Sequence, residues 1–169
     1  MGTVTLVPMS RELCHALFRG WKNDPAVFED ETQFSPFVYY APGVDRYWER
    51  LQSPDRAVLA VMLNDRPIGE VQLKRIDRAA GSCTLSIHLQ NDAVKNRGYG
   101  TLAERLALRY AFETLALETV YADALVKNTR SCHVLEKVGF EFLREENGFR
   151  YYRCQRPQQR IDAEPVSGI

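Results

Sequence analysis

The sequence predicts a mixed α/β (α+β) domain built on a mostly antiparallel central sheet with helices on both faces. Three observations carry this reading. Residues 57–63, 68–76 and 82–90 are β-rich runs joined by short polar turns, which makes an antiparallel meander. A long amphipathic period from Thr101 to about Leu117 follows a glycine-rich turn. A strand at 120–126, a helix at 129–138 and a hairpin at 140–153 then bring the chain back to the sheet.

Taken in order, residues 3–7 alternate as a strand, and Ser10 can cap a helix that runs to Trp21 and stops at Asn23-Asp24-Pro25. Residues 27–42 hold Glu29, Asp30 and Glu31 among Phe28, Phe34, Phe37, Tyr39 and Tyr40 without a clean period. This predicts a loop with short helical pieces, and residues 28–40 are a candidate ligand pocket. Residues 44–51 form a helix with Tyr47, Trp48 and Leu51 on one face. In the meander, turns fall at Asn64-Asp65-Arg66-Pro67 and at Ala79-Ala80-Gly81, while Val71 and Leu73 alternate with Glu70 and Gln72. The helix from Thr101 sets Leu102, Ala103, Leu106, Ala107, Tyr110 and Ala111 on its apolar face and Glu104, Arg105, Arg109 and Glu113 on its solvent face. Asn128 caps the next helix, Gly139 closes it, and the hairpin turns at Asn147-Gly148. From Gln155 the chain reads as a solvated tail, so one domain is expected over 1–154 and a flexible tail over 155–169.

Lys plus Arg equals Asp plus Glu at 22 each, so no overall field concentrates nucleic acid or an anionic membrane, and neither is expected as a partner. No apolar run approaches the ~18 residues of a membrane span, and Met1 to Val7 lacks a basic n-region. A cytoplasmic protein is expected. Cys14, Cys83, Cys132 and Cys154 lie far apart without C-x-x-C spacing, which argues for reduced thiols and no metal site.

The most informative stretch is Lys95-Asn96-Arg97-Gly98-Tyr99-Gly100-Thr101, between a strand and a helix. Its glycines let backbone N–H groups converge at the positive end of a helix, where a phosphate can sit. Gly98-x-Gly100-x-x-Ala103, with Asp123 about twenty residues on, also matches a dinucleotide fingerprint. Its position argues against that reading. A Rossmann domain opens with this motif, whereas here a meander precedes it and few residues follow.

Asn128-Thr129-Arg130-Ser131-Cys132-His133-Val134-Leu135-Glu136-Lys137-Val138-Gly139-Phe140 closely resembles the second signature of the GNAT superfamily of acyl-CoA N-acyltransferases, and Lys95-x-x-Gly98-x-Gly100 fits the first with lysine in the lead place. Trp21-Lys22-Asn23-Asp24-Pro25 and the Leu-Glu-Lys-Val-Gly-Phe ending are most similar to the ribosomal-protein alanine N-acetyltransferase branch. The resemblance implies a splayed parallel strand pair, 85–89 and 120–126, that receives the pantetheine arm. It further implies acetyl-CoA as cosubstrate, a primary-amine acceptor, no metal, and a monomer or homodimer. Donor contacts would come from His88, Leu89 and Gln90 at the strand end, from Lys95, Arg97, Gly98, Tyr99, Gly100 and Thr101 in the loop, and from Asn128. Backbone N–H groups near His88 and Leu89 would face the thioester carbonyl, and Cys132 would lie beside the thioester.

Many relatives carry a tyrosine four residues after Ser131 to protonate the thiolate, and this chain has Leu135 there. Ser131 is then the candidate proton donor. For the base the sequence leaves three readings: His88, Glu70 on the neighbouring strand, or a water chain. A non-catalytic acyl-CoA-binding module and a polyamine acetyltransferase remain the alternatives.

Overall fold

The structure is a computed structural model, and it describes residues 2–158. A seven-stranded sheet runs β1-β2-β3-β4-β5-β7-β6, formed by β1 Val4–Pro8, β2 Ala57–Leu63, β3 Arg66–Asp77, β4 Ser82–Leu89, β5 Thr119–Leu125, β6 Glu141–Glu146 and β7 Phe149–Gln155. Every neighbouring pair is antiparallel except β4 with β5. That exception follows from the chain path, because a parallel neighbour needs a crossover and the segment between β4 and β5 supplies a helical one.

Among the described residues four α-helices cover the sheet: α1 Arg11–Arg19, α2 Ala41–Leu51, α3 Tyr99–Arg109 and α4 Thr129–Val138. Strand alternation sorts the two faces. Leu59, Val61, Val71, Leu73, Cys83 and Leu85 point toward α3 and α4 and bury against Ala103, Ala107 and Leu135. Ala60 and Met62 point the other way, into a second cluster with Cys14 and Leu17 of α1 and Val44 and Leu51 of α2. Glu70, Gln72, Ser86 and His88 share that second face by the same alternation.

Local chemistry explains most boundaries. Ser10 Oγ accepts from Leu13 N at 3.1 Å and caps α1. Asn128 caps α4 by accepting from Ser131 N, and Gly139 at φ 109° closes it. Asn147 and Gly148, both at positive φ, make the β6–β7 turn. The helix expected at 44–51 begins at Ala41, because Pro42 in the first turn lacks only an N–H that has no intrahelical partner anyway.

Three expectations need correction. The helix expected to run from Thr101 to Leu117 is regular only to Arg109. It then widens into a π turn, Tyr110–Thr114, in which Leu115 N donates to Tyr110 O. Its faces are also reassigned: Leu102 is 45% exposed and Glu104 only 2%. Finally, the tail starts later than Gln155, which belongs to β7, and Arg156 N donates to Glu118 O. The remainder of the expected tail, 159–169, lies outside the described residues. No helix among the described residues is long and apolar enough to cross a membrane.

Candidate active site

The site starts from a broken ladder. β4 and β5 pair only at Ser82↔Thr119, Cys83↔Val120 and Thr84↔Tyr121, and beyond that point the strands diverge. The gap between them is a cavity of about 210 Å³, lined by Leu85, Ile87 and His88 on one side and by Ala122, Ala124 and Leu125 on the other. Gln90 N donates to Ile68 O, which fixes the phase of the β3–β4 ladder. By alternation the backbone groups of His88 and Ser86 turn to β3, while those of Leu85, Ile87 and Leu89 turn into the gap. His88 O lies only 2.8 Å from where a Cβ on Gly69 would stand, which agrees. Of the two expected amides, Leu89 therefore faces the gap. His88 contributes its side chain instead.

On the α3–α4 face a larger cleft of about 540 Å³ opens beside the gap. Gly98, at φ 81°, is the N-cap of α3 and provides no side-chain cap, so the first amides of that helix have no side-chain acceptor. Asn96 at φ 58° curls the preceding loop. Gly98, Gly100 and Thr101 line the cleft, as do Lys22, Lys95, Arg130 and Lys137. An uncapped helix start among lysines and an arginine suits a phosphorylated ligand.

On the α1–α2 face a third cavity, of about 420 Å³, is walled by Phe18, Trp21, Phe37, Tyr40 and Tyr47. Phe18 holds this wall together, with ring centroids 5.0 Å from Trp21, 5.6 Å from Phe37 and 5.1 Å from Tyr47. Glu70 lies at its base, 3% exposed. Tyr47 Oη donates to Glu70 Oε1 at 2.6 Å, Gln72 Nε2 donates to the same oxygen, and Oε2 is buried without a partner among the described residues. Burial pushes this carboxyl above its usual range, against the opposing pull of those two hydrogen bonds. His88 lines all three cavities. Protein crowds its ring while the cleft leaves it open to solvent. Burial, with Lys74 and Lys95 nearby, lowers its pKa, so the ring is neutral at pH 7.

Other expected contacts lie elsewhere. Gln90 donates to Leu17 O at 2.7 Å and ties β4 to α1, which leaves it outside the cavities. Arg97 donates from Nε to Ala93 O, and Tyr99 packs on the core; neither lines the cleft. Lys95 lines it with its ammonium held by Asp24 Oδ2 at 2.6 Å. Cys132 faces inward, with its thiol on Leu125 O. Asn128 and Ser131 line both the gap and the donor-side cleft. The run Glu29-Asp30-Glu31 lines none of the three cavities, while Phe37, Val38 and Tyr40 do line the aromatic one. Sequence reasoning missed Tyr47 as a partner of Glu70, and it missed Glu104, which lines both the gap and the cleft.

The sheet opens between two parallel strands, with a basic cleft on one face and an aromatic cavity on the other, and this defines a mixed α/β domain with ligand-sized cavities meeting at the strand gap. The sequence profile of the acetyltransferase (GNAT) domain matches residues 3–141, and the chain belongs to that family. Over 99 residues it is 33% identical to the probable N-acetyltransferase YjcK of Bacillus subtilis (strain 168), an alignment covering 57% of this chain and 55% of that protein. The chain thus spans about half the length of that relative. Among solved structures, a chimera of Vibrio cholerae spermidine N-acetyltransferase SpeG and hSSAT superposes with a TM-score of 0.71 at 19% identity, covering 90% of this chain and 95% of that one. A domain from Methanocaldococcus jannaschii gives 0.72 at 14% identity, over 92% and 99% of the two chains. These two likenesses concern the fold.

Proposed function

We propose that this chain is an acetyl-CoA-dependent N-acetyltransferase in which donor and acceptor enter from opposite faces of the sheet and meet in the β4–β5 gap. One observation carries the reading: His88 lines the gap, the basic cleft and the aromatic cavity at once. Acetyl-CoA, the cosubstrate of GNAT domains, supplies a thioester whose acetyl group passes to the amine. The residues present fit it, because the uncapped start of α3 suits phosphates and the unpaired backbone of Ile87 and Leu89 suits the amides of an extended arm.

The chain's own groups divide the work. The Leu89 amide, turned into the gap, is a hydrogen-bond donor for the developing oxyanion. Glu70 accepts the amine proton, and the neutral His88 ring orients the amine or relays that proton. Asn128 and Ser131 fix the donor arm at the start of α4. Gly98, Gly100 and Thr101 hold the phosphates, with Lys95 and its partner Asp24 shaping the loop. Positioning supplies much of the rate. A single catalytic domain that runs through β7 supplies these roles.

The acceptor is a primary amine with one charge and an apolar neighbour, as a peptide N-terminus presents. The aromatic cavity supports this, because Glu70 is its lone carboxylate among the described residues and Arg50 also lines it. The Trp21-Lys22-Asn23-Asp24-Pro25 segment, of which Trp21 and Asn23 line both cavities, supports the ribosomal-protein alanine N-acetyltransferase branch. The spermidine acetyltransferases that share the fold suggest a polyamine, yet the acidic run that would attract one stands outside the cavity. An α-amine also releases its proton more readily, at ~7.7–8.0 against ~10.4 for a lysine-like amine. The test is release of CoA thiol from acetyl-CoA with peptide N-termini and with spermidine across pH 6.5 to 9. Faster peptide turnover at neutral pH is expected. Faster spermidine turnover would reverse the acceptor ranking, and tight CoA binding with no turnover on any amine would make the chain a binding module.

A further inference from the structure

Glu104 belongs to none of the roles above, although it lies where the two substrate paths meet. It sits one helical turn beyond Gly100 on α3 and is 2% exposed. Its Oε2 is buried without a partner among the described residues. It lines both the gap and the donor-side cleft, in the company of Ser131. Leu135, at the place where the resemblance would put a proton-donating tyrosine, lines the same gap and carries no proton to give. The Tyr152 hydroxyl is engaged elsewhere, donating to Glu136 Oε1 at 3.1 Å.

We infer that Glu104 is the proton donor to the departing sulfur, the acid this chain uses in place of a tyrosine or of Ser131. The assignment rests on the transferase reading above. As the amine nitrogen forms its bond to the acetyl carbon, the carbon–sulfur bond breaks and its electron pair goes to sulfur. The Glu104 proton follows, leaving a thiol and a carboxylate. The proton lost by the amine goes to Glu70. After the products leave, solvent reprotonates Glu104 and takes the proton from Glu70, so atoms and charge balance over the cycle.

Acidity favours the carboxyl over the serine hydroxyl. Burial raises Glu104 from 4.5 to about 8, so it still carries its proton at neutral pH. A cysteine thiol titrates at ~8.5 and simple alkyl thiols are weaker acids still, so transfer of the proton to the departing sulfur is not uphill. The charged groups nearby do not account for the shift. On the elements packed against α3, Lys74 of β3 and His88 of β4 share the gap, while Arg130, His133 and Lys137 of α4 line the cleft; β1 carries no charge. Asp123 of β5 faces the gap, and Lys95 is paired with Asp24 at the cleft rim. Burial is the sole cause of the shift.

The experiment compares wild type, Glu104→Gln and Glu104→Asp by infrared titration of the protonated-carboxyl band and by kinetics. In ligand-free wild type a band present at pH 7 should vanish with a midpoint near 8, and Glu104→Gln should lack it. Glu104→Gln should lower kcat about 10²-fold or more, change the acetyl-CoA KM less than about threefold, and lose the fall in rate above pH 8. Glu104→Asp should keep a titrating band with partial activity, which supplies the test if the glutamine variant misfolds. The assignment is overturned if no band assignable to Glu104 titrates near pH 8, or if Glu104→Gln turns over at the wild-type rate. If wild type itself releases no thiol with any amine, the transferase reading has failed first, an outcome distinct from an active glutamine variant.

Discussion

Glu70 on β3 and His88 on β4 are directly opposed partners in the antiparallel ladder, and both side chains open into the aromatic cavity. Opposed residues of such a pair share one face of the sheet at close range, so an amine entering between the aromatic rings meets a carboxyl and a neutral imidazole together. No hydrogen bond joins the two side chains, and Glu70 is held instead by Tyr47 and Gln72. The pair brackets the place where an acceptor proton must go.

Glu70→Gln should lower kcat about 10²-fold or more with little change in acetyl-CoA affinity. A base works ionised, so wild-type kcat/KM should climb with pH through the raised pKa of Glu70. The glutamine variant should lack that acid limb. An unchanged pH profile would transfer the base role to His88 or to water.

Tyr47→Phe removes the 2.6 Å hydrogen bond that favours the ionised form of Glu70. A hydrogen bond to a charged group is worth about 1.5–3 kcal/mol, so the acid limb of kcat/KM should move up by about one pH unit or more. Activity relative to wild type should fall at pH 6.5 and largely recover at pH 9. If the limb stays in place, the Tyr47 hydroxyl does not control this carboxyl.

The two loop glycines should separate folding from binding. A Cβ at Gly100 would meet only Leu89 Cδ1, at 3.7 Å, an ordinary contact, and it would project at the cleft. Gly100→Ala should therefore keep its Tm while binding CoA about tenfold more weakly by calorimetry. Gly98 stands at φ 81° with open space around it, so Gly98→Ala should lose about 1 kcal/mol of stability to backbone strain. Wild-type CoA affinity in the Gly100→Ala protein would remove the phosphates from this loop.

Glu104 should also shape stability against pH. Its folded-state pKa of about 8 stands above the 4.5 of a free carboxyl, so the native state keeps a proton that the unfolded chain gives up between those values. The stability it favours is complete below pH 4.5 and is lost progressively up to about pH 8. The Tm advantage of Glu104→Leu over wild type should therefore widen by about 5 °C or more between pH 5 and pH 8. A constant difference across that range would mean the carboxyl ionises freely in the fold.

What the sequence determined by itself is local. Ala57–Leu63 and Thr129–Val138 were readable to the residue, because an apolar run bounded by polar turns and an Asn cap with a closing glycine act over a few positions. The curled backbone at Gly98 was legible for the same reason, since backbone curl depends on neighbouring residues. Tertiary structure alone decided the rest. Leu102 and Glu104 follow a period that leaves their faces ambiguous by about a third of a turn, and the seating of α3 against β3, β4 and α4 turned the leucine outward and the carboxyl inward. Gln90 looked free for a ligand until α1 packed against it. The aromatic cavity joins Phe18, Phe37, Tyr47 and Glu70 from four separate elements or loops, and the gap depends on where two strands far apart in sequence stop pairing. Periodicity reports which residues share a face, but which face meets which partner is fixed by contacts that no local window contains.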